Sequence, residues 1–464
     1  MLPRCTTLGR LRTRSTAPTT NLRLPQPIAP PSSAVAHYSS APPPVAVASS
    51  KHRVVVVGAG AAGLSVSHQL LRSGKYVQDD IAVVDPATWH HYQPGWTLVA
   101  AGLKRKDELK MATKDIVDAK LKFYNQGVSV FTPEDNSVTL ITGDKVQYEH
   151  LVVCPGIRIN YDSIKGLPEA LADPESPIST TYSYETCDKV FRNIKRMDKG
   201  NAIFTQPTGI IKCAGAPQKA MWLALDYWRR AGLYQPDAPL GSGIKVSFAT
   251  GLPVMFGVPR YSQVLDRLRQ ERRVSGLFEH DLVAIDGNEA TFALPGDKRS
   301  KLKFDFLHVV PKMGPHSFVA NSPLADATGL VDVDRGTMQH RKYNNVWSIG
   351  DASNLPTSKT AAAITAQAPV LVSNLLGVSE AGRPRSTYDG YTSCPLITEY
   401  GKVLLAEFKY GGEVKETFGR LVDQSVPARG FYYLKRDFFP WVYKRFMVKG
   451  AWGGPRGFIR QGRN

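Results

Sequence analysis

Two cysteines carry the chemistry that this chain's residues suggest. Cys213 lies in Ile210-Ile211-Lys212-Cys213-Ala214-Gly215-Ala216-Pro217-Gln218-Lys219, and Cys394 lies in Tyr388-Asp389-Gly390-Tyr391-Thr392-Ser393-Cys394-Pro395-Leu396. A cysteine pair can bind sulfur and pass electrons into a flavin, if fold and cofactor bring the thiols together. Cys213 immediately precedes a helix predicted from about Ala216 to Arg230. A helix N-terminus and the neighbouring Lys212 would both lower its pKa and favour thiolate. Cys394 stands beside Pro395 in a stretch expected to be rich in turns.

The other cysteines offer less. The chain has five, at positions 5, 154, 187, 213 and 394, with no CxxC and no CxxCH. Zinc-ribbon, thioredoxin-type and haem-attachment motifs are therefore absent. Cys154, in Val152-Val153-Cys154-Pro155-Gly156, reads as a packed small residue, and Cys187 has no motif. His90-His91 has no neighbours to complete a ligand set, so no metal site is expected.

The cysteines need a scaffold, and its first part is legible. Arg53-Val54-Val55-Val56-Val57 is a β-branched run suited to a buried parallel strand. Gly58-Ala59-Gly60-Ala61-Ala62-Gly63 follows, then a helical stretch from Leu64 to Leu71 and a second strand, Ile81 to Asp85. This is a dinucleotide-binding unit. Gly58, Gly60 and Gly63, with Ala61 and Ala62, would place a pyrophosphate at the helix N-terminus. Asp85 would accept hydrogen bonds from ribose hydroxyls.

A later segment, Asn345-Val346-Trp347-Ser348-Ile349-Gly350-Asp351-Ala352, resembles the second FAD motif of the two-dinucleotide-binding flavoproteins. The resemblance puts the Asp351 carboxylate on the ribityl chain. Ser358-Lys359-Thr360-Ala361-Ala362-Ala363 then reads as the small-residue start of a helix whose dipole faces the flavin. Gly350, Lys359, Thr360 and Ala361 are thus candidate FAD contacts, with Lys359 either balancing charge on the reduced ring or lying as an ordinary surface lysine. Gln93 and Val128 are further candidates along the cofactor. FAD, non-covalently held, belongs in the first unit.

The middle reads as a second Rossmann-type unit with strands near 201–205 and 245–250, a helix from Tyr261 to Arg272, and a strand from Phe304 to Pro311. The expected class is α/β, with two Rossmann-type dinucleotide-binding domains, the second inserted into the first, and a C-terminal membrane-associating segment. The expected boundaries are 1–45 for a disordered transit peptide, 52–165 and 315–400 for the FAD domain, 166–314 for the inserted domain carrying Cys213, and 401–464 for the C-terminal quinone- and membrane-associating region.

The two cysteine segments resemble those of the mitochondrial sulfide:quinone oxidoreductases, and the likeness runs from about Arg53 to the C-terminus. It implies that Cys213 and Cys394 meet at the flavin, joined directly or through an extra sulfur. Sulfide would open the bridge and leave a persulfide, most simply on Cys394. Two electrons would pass through FAD to ubiquinone. The sulfane sulfur would go to an acceptor such as glutathione, sulfite or sulfide.

Charge and leader agree with that expectation. Net charge is +18, yet the first 50 residues hold five Arg and no acid, the composition of an organelle transit peptide. From Lys435 to the end there are eight basic residues and one acid, interleaved with Phe438, Phe439, Trp441, Tyr443 and Phe446. An aromatic and basic tail suits peripheral attachment to the inner mitochondrial membrane surface. No basic reader helix points to nucleic acid. Three other functions compete. A type II NADH:quinone oxidoreductase needs a glycine-rich loop after Thr205, where this chain has Gln206-Pro207-Thr208-Gly209-Ile210-Ile211-Lys212-Cys213. A disulfide reductase needs a cysteine pair near the first Rossmann helix. A non-catalytic FAD-containing membrane adaptor needs a redox-inert flavin.

Overall fold

The β-branched run at 53–57 forms its strand and extends it back to Ser49. The computed structural model describes residues 49–459 apart from 238, 240 and 241; the predicted leader and Cys5 lie outside the described residues. Strand β1 (Ser49–Val57) leads through helix α1 (Ala61–Arg72) to β2 (Ile81–Val84). Strands β3 (Lys122–Tyr124), β4 (Val128–Thr132), β5 (Ser137–Leu140) and β6 (Lys145–Val153) follow. The sheet order is β3-β2-β1-β6-β5-β4, parallel through β6 and antiparallel beyond it. Val54, Val55, Val56, Leu151 and Val152 are fully buried. Such strands are covered on both faces, so they read as unbroken apolar runs rather than alternating ones.

The second sheet is all parallel. It contains β7 (Ile178–Ser179), β8 (Gly200–Gln206), β9 (Ile244–Thr250), β10 (Ser275–Phe278) and β11 (Phe306–His308), in the order β7-β11-β8-β9-β10. Helix α2 (Ala216–Arg230) connects β8 to β9, and its Met221, Trp222, Leu225 and Trp228 are fully buried. Strand β11 is shorter than the 304–311 expectation. Val310 leaves the ladder and donates its N–H to Thr205 Oγ1 at 3.1 Å.

The chain returns to the first sheet through β12 (Val346–Ser348), which pairs with β6. Helix α3 (Ala361–Ala381) follows and packs on α1. By length and composition α3 could cross a membrane, although the expectation from sequence was that no apolar run of about 18 residues exists. It is a core helix here, with Gln367 and Asn374 buried and hydrogen-bonded inside the protein.

Cys394 does not lie in a turn. It sits in β13 (Thr392–Glu399), which forms an antiparallel ribbon with β14 (Lys402–Phe408). A two-stranded ribbon tolerates Pro395, because one side of each strand needs no ladder partner. The ribbon packs on α2, and Cys394 and Leu396 join the core around Trp222.

The tail is one helical run over 429–447 that alternates between α and π. Leu434–Phe438 and Tyr443–Met447 are the π turns. The run is stitched to the first sheet. Tyr443 OH meets His90 Nε2 at 2.7 Å, and the same ring's Nδ1 meets Ala59 O at 2.9 Å, inside the glycine loop. Burial pulls His90 down to about 4, so the ring is neutral and bridges tail and loop. Ser65 Oγ donates to Met447 O, and Lys449 Nζ donates to Ile116 O.

Candidate active site

The first unit is shaped to hold FAD. Gly58 has φ +103°, and a Cβ there would lie 2.4 Å from Cys154 O. A Cβ on Gly63 would lie 1.8 Å from Gly58 O, so β1 and α1 close up only because both are glycine. A Cβ at Gly60, by contrast, would project into open space. No side chain caps the N-terminus of α1, so the first N–H groups, from Ala61 onward, are free to receive a pyrophosphate. Asp85 takes Ala59 N–H at 2.6 Å and Ala87 N–H at 2.7 Å. Each of its oxygens keeps a lone pair for a ribose hydroxyl. Val128 is buried at the start of β4, just past Asn125, whose side chain donates to Asp85 O at 3.0 Å.

At the other end of the cradle, Gly350 donates to Gln367 Oε1 at 3.0 Å and packs beside Ala62. Asp351 faces Lys212 and Lys359, and burial raises its carboxyl above the ordinary range against both cations. Thr360 caps α3 through Ala363 N at 3.0 Å, immediately before Ala361. These groups fit FAD, whose isoalloxazine would supply a two-electron acceptor at this position.

Cys213 and Cys394 meet. The interaction between the two thiols holds Cys213 well below the usual thiol value and Cys394 well above it. Burial acts against the first shift and with the second. Cys213 has φ +54°, a left-handed conformation that costs a non-glycine residue about 1–2 kcal/mol. Its surroundings over-determine it. Its N–H donates to Lys359 O at 2.8 Å, its C=O accepts from Ala216 N at 2.8 Å, and Tyr182 OH holds Lys212 O at 3.1 Å. The Lys359 contact ties the cysteine loop to the flavin-binding segment. Thr360 and Thr392 hydroxyls, 2.8 Å apart, tie that segment to the Cys394 strand. Gly215 lets the ribbon approach, since a Cβ there would strike Leu396 at 2.5 Å.

The cations around the thiols differ from the expected set. Lys212 does not serve Cys213; its Nζ reaches Gln93 Oε1 at 3.2 Å and faces Asp351. Gln93 is thus held beside the cradle by Lys212. Lys219 approaches instead, with Nζ 3.4 Å from Cys213 Sγ, and Lys435 adds a second positive charge. The sequence reading missed both. Lys219 had a signal, because it lies one helical turn past Gly215 and faces back over the N-terminus of α2. Lys435 had none. Its neighbours read as surface, and the π turn is what rotates it inward, to 3% exposure, with Nζ on Pro94 O at 2.8 Å. Lys359 is half-buried, with Nζ on Ser353 O, and is no surface lysine.

Burial, then repulsion from Lys219, pulls Lys435 from 10.5 down to about 7. The folded value lies below the unfolded one, so the unfolded chain binds more protons between about pH 7 and 10. The cost of burying Lys435 therefore grows as pH falls through that window and is fully present below pH 7. Lys435→Met is expected to raise Tm at neutral pH and hardly at all near pH 10. An equal gain at both would show that ionisation is not the cause.

The second sheet retains the crevice at the carboxyl ends of β8 and β11 where a nucleotide would enter. Here Thr208 Oγ1 and Lys312 Nζ both bind Asp281 Oδ2, at 2.7 and 3.0 Å. The chain's own side chains thus occupy one another at that mouth.

A pyridine nucleotide-disulphide oxidoreductase family model matches residues 52–204. A protein of Schizosaccharomyces pombe is 45% identical over 431 residues, covering 88% of this chain and 92% of its own, and is named a mitochondrial sulfide:quinone oxidoreductase. This chain belongs to the mitochondrial sulfide:quinone oxidoreductases. A Dictyostelium discoideum member of that family is 46% identical, with 87% of each chain covered. The crystal structure of the Aquifex aeolicus sulfide:quinone oxidoreductase matches with a TM-score of 0.68 at 16% identity, over 85% of this chain and 91% of that one, a likeness of fold.

Proposed function

We propose that this FAD-dependent sulfide:quinone oxidoreductase works through Cys213 and Cys394. The observation that carries the reading is the thiol–thiol contact, held beside the FAD cradle by the Cys213–Lys359 hydrogen bond. In the oxidised enzyme the two sulfurs form a bridge. Hydrosulfide attacks Cys394 Sγ, the S–S bond breaks, and Cys213 leaves as thiolate. Cys213 is the better leaving group because its pKa is the lower of the two. The product is a Cys394 persulfide. A thiol, sulfite or sulfide then removes its outer sulfur and leaves a second thiolate. The two thiolates then re-form the bridge and release two electrons, for which FAD, held by the glycine loop, Asp85, Asp351 and the 358–361 segment, would supply the acceptor ahead of a quinone. Lys219 and Lys435 hold the negative sulfur through these steps.

The enzyme is mitochondrial, and ubiquinone is the proposed acceptor. The basic, aromatic tail is proposed to rest on the inner membrane, where quinone dissolves. A groove of about 470 Å³ lined by Tyr433, Leu434, Phe438 and Trp441 opens along it.

An anaerobic sulfide titration followed visibly is expected to bleach the flavin, and quinone to restore it. NADH without sulfide should leave the spectrum unchanged, because the loop after Thr205 lacks the glycine-rich turn and carries Cys213 where nicotinamide would need room. Bleaching by NADH alone would favour the NADH:quinone reading instead. Lys219→Met is expected to slow Cys213 alkylation at neutral pH about tenfold, by raising the thiol pKa. An unchanged alkylation rate would remove Lys219 from this role.

A further inference from the structure

We infer that the loop over 418–426 is a second membrane anchor, docking beside the tail on a bilayer that carries anionic headgroups. The inference rests on the proposed membrane attachment of the tail and, within the 401–464 region, extends it to a loop that precedes the helical run.

The loop shows its apolar side chains to water. Leu421 is 84% exposed, Val426 56%, Val422 48% and Phe418 36%. Seven of the twelve exposed large hydrophobic residues among the described residues lie between Phe418 and Phe458, so this exposure is regional rather than scattered.

The loop is also pinned. Gln424 is fully buried and donates to Leu405 O at 3.0 Å and Glu407 Oε2 at 2.8 Å. Its own C=O accepts from Leu405 N at 3.0 Å. Leu421 and Val422 N–H groups both close on Phe418 O. Arg260 clamps Asp423 at 2.8 Å. A turn fastened at its base, with leucine and valine at its tip, presents those side chains outward at no further ordering cost.

The tip is continuous with the tail. The Phe418 ring lies 5.9 Å from Phe431, in the first turn of the helical run, and the groove lined by Gly430, Tyr433, Phe438 and Trp441 starts in that same turn. Cations flank the strip. Arg420 and Arg429 are exposed at the shoulders of the loop, Arg445 is exposed on the tail, and Lys104 lies 4.0 Å from Asp437. The nearby acids are already matched, Asp423 by Arg260 and Asp437 by Arg436. Apolar tips flanked by arginines without an ion-pair partner among the described residues complement an acyl layer under negative headgroups.

The test uses the FAD-loaded full chain and flotation with phosphatidylcholine vesicles, with and without cardiolipin. The wild type is expected to float, more so with cardiolipin. Leu421→Asp with Val422→Asp is expected to cut vesicle partitioning about tenfold or more. Trp441→Asp, on the tail, is expected to cut it comparably. Unchanged Tm, and unchanged turnover with a short-chain quinone in detergent, show that the loop variant is folded. If the tail variant loses binding while the loop variant floats like wild type, the second anchor is refuted and the tail reading stands. If the wild type floats with neither vesicle, both fall. Wild-type flotation that ignores cardiolipin overturns the anionic preference. Lipid-free self-association that disappears in the loop variant would assign the surface to a second copy of the chain.

Discussion

Replacing Cys394 by Ser is expected to end sulfide-dependent quinone reduction while leaving FAD bound. The loss should be about a thousandfold or more, because a hydroxyl can form neither the bridge nor the persulfide. The fold should tolerate the change. Cys394 is fully buried in β13, serine is close to it in size, and its O–H can donate to Cys213 Sγ. Cys213→Ser should be as damaging, since it removes the leaving thiolate. The visible spectrum measures retained FAD, and quinone reduction measures turnover. Activity above about one per cent of wild type in either variant would exclude the pair as the redox site.

Gly63→Ala is expected to empty the cofactor site by a different route. Its Cβ would fall 1.8 Å from Gly58 O, a backbone atom that cannot swing away. Helix α1 must then separate from β1, at a cost of about 3 kcal/mol or more. Purified protein should be colourless and melt early. Gly60→Ala supplies the contrast. Its Cβ meets nothing within 4 Å, so the apoprotein should keep its Tm while FAD affinity falls. If Gly60→Ala binds FAD normally, the cradle is not where the pyrophosphate lies.

The sequence revealed those parts of the site that local backbone chemistry dictates. The glycine loop, Asp85 and α1 lie in one short segment, and strand, turn and helix each have a signature there. The Gly350-Asp351 turn and the Thr360 cap are similarly local. The thiol–thiol contact was legible through family likeness alone, because it depends on a ribbon far along the chain docking against α2. Three details were not legible. Proline suggested a turn at Cys394, but a free ribbon edge accepts Pro395. Lys212 adjoins Cys213 in sequence, yet the left-handed kink at Cys213 and the pull of Asp351 send its side chain toward Gln93. Lys435 depends on a π turn, and no pattern of residue types in an aromatic, basic segment distinguishes that winding from a regular helix.

His90 holds the tail and the glycine loop with the two nitrogens of one uncharged ring. The segment proposed to touch lipid is therefore no flexible tether. It works as a keel, fixed in the same casting as the cofactor bed. A molecule moored through it could not swivel, so the way the glycine loop faces the bilayer would be decided when the chain folds. Clipping the chain ahead of Arg429 would cost it more than its mooring, because the glycine loop would lose its buttress.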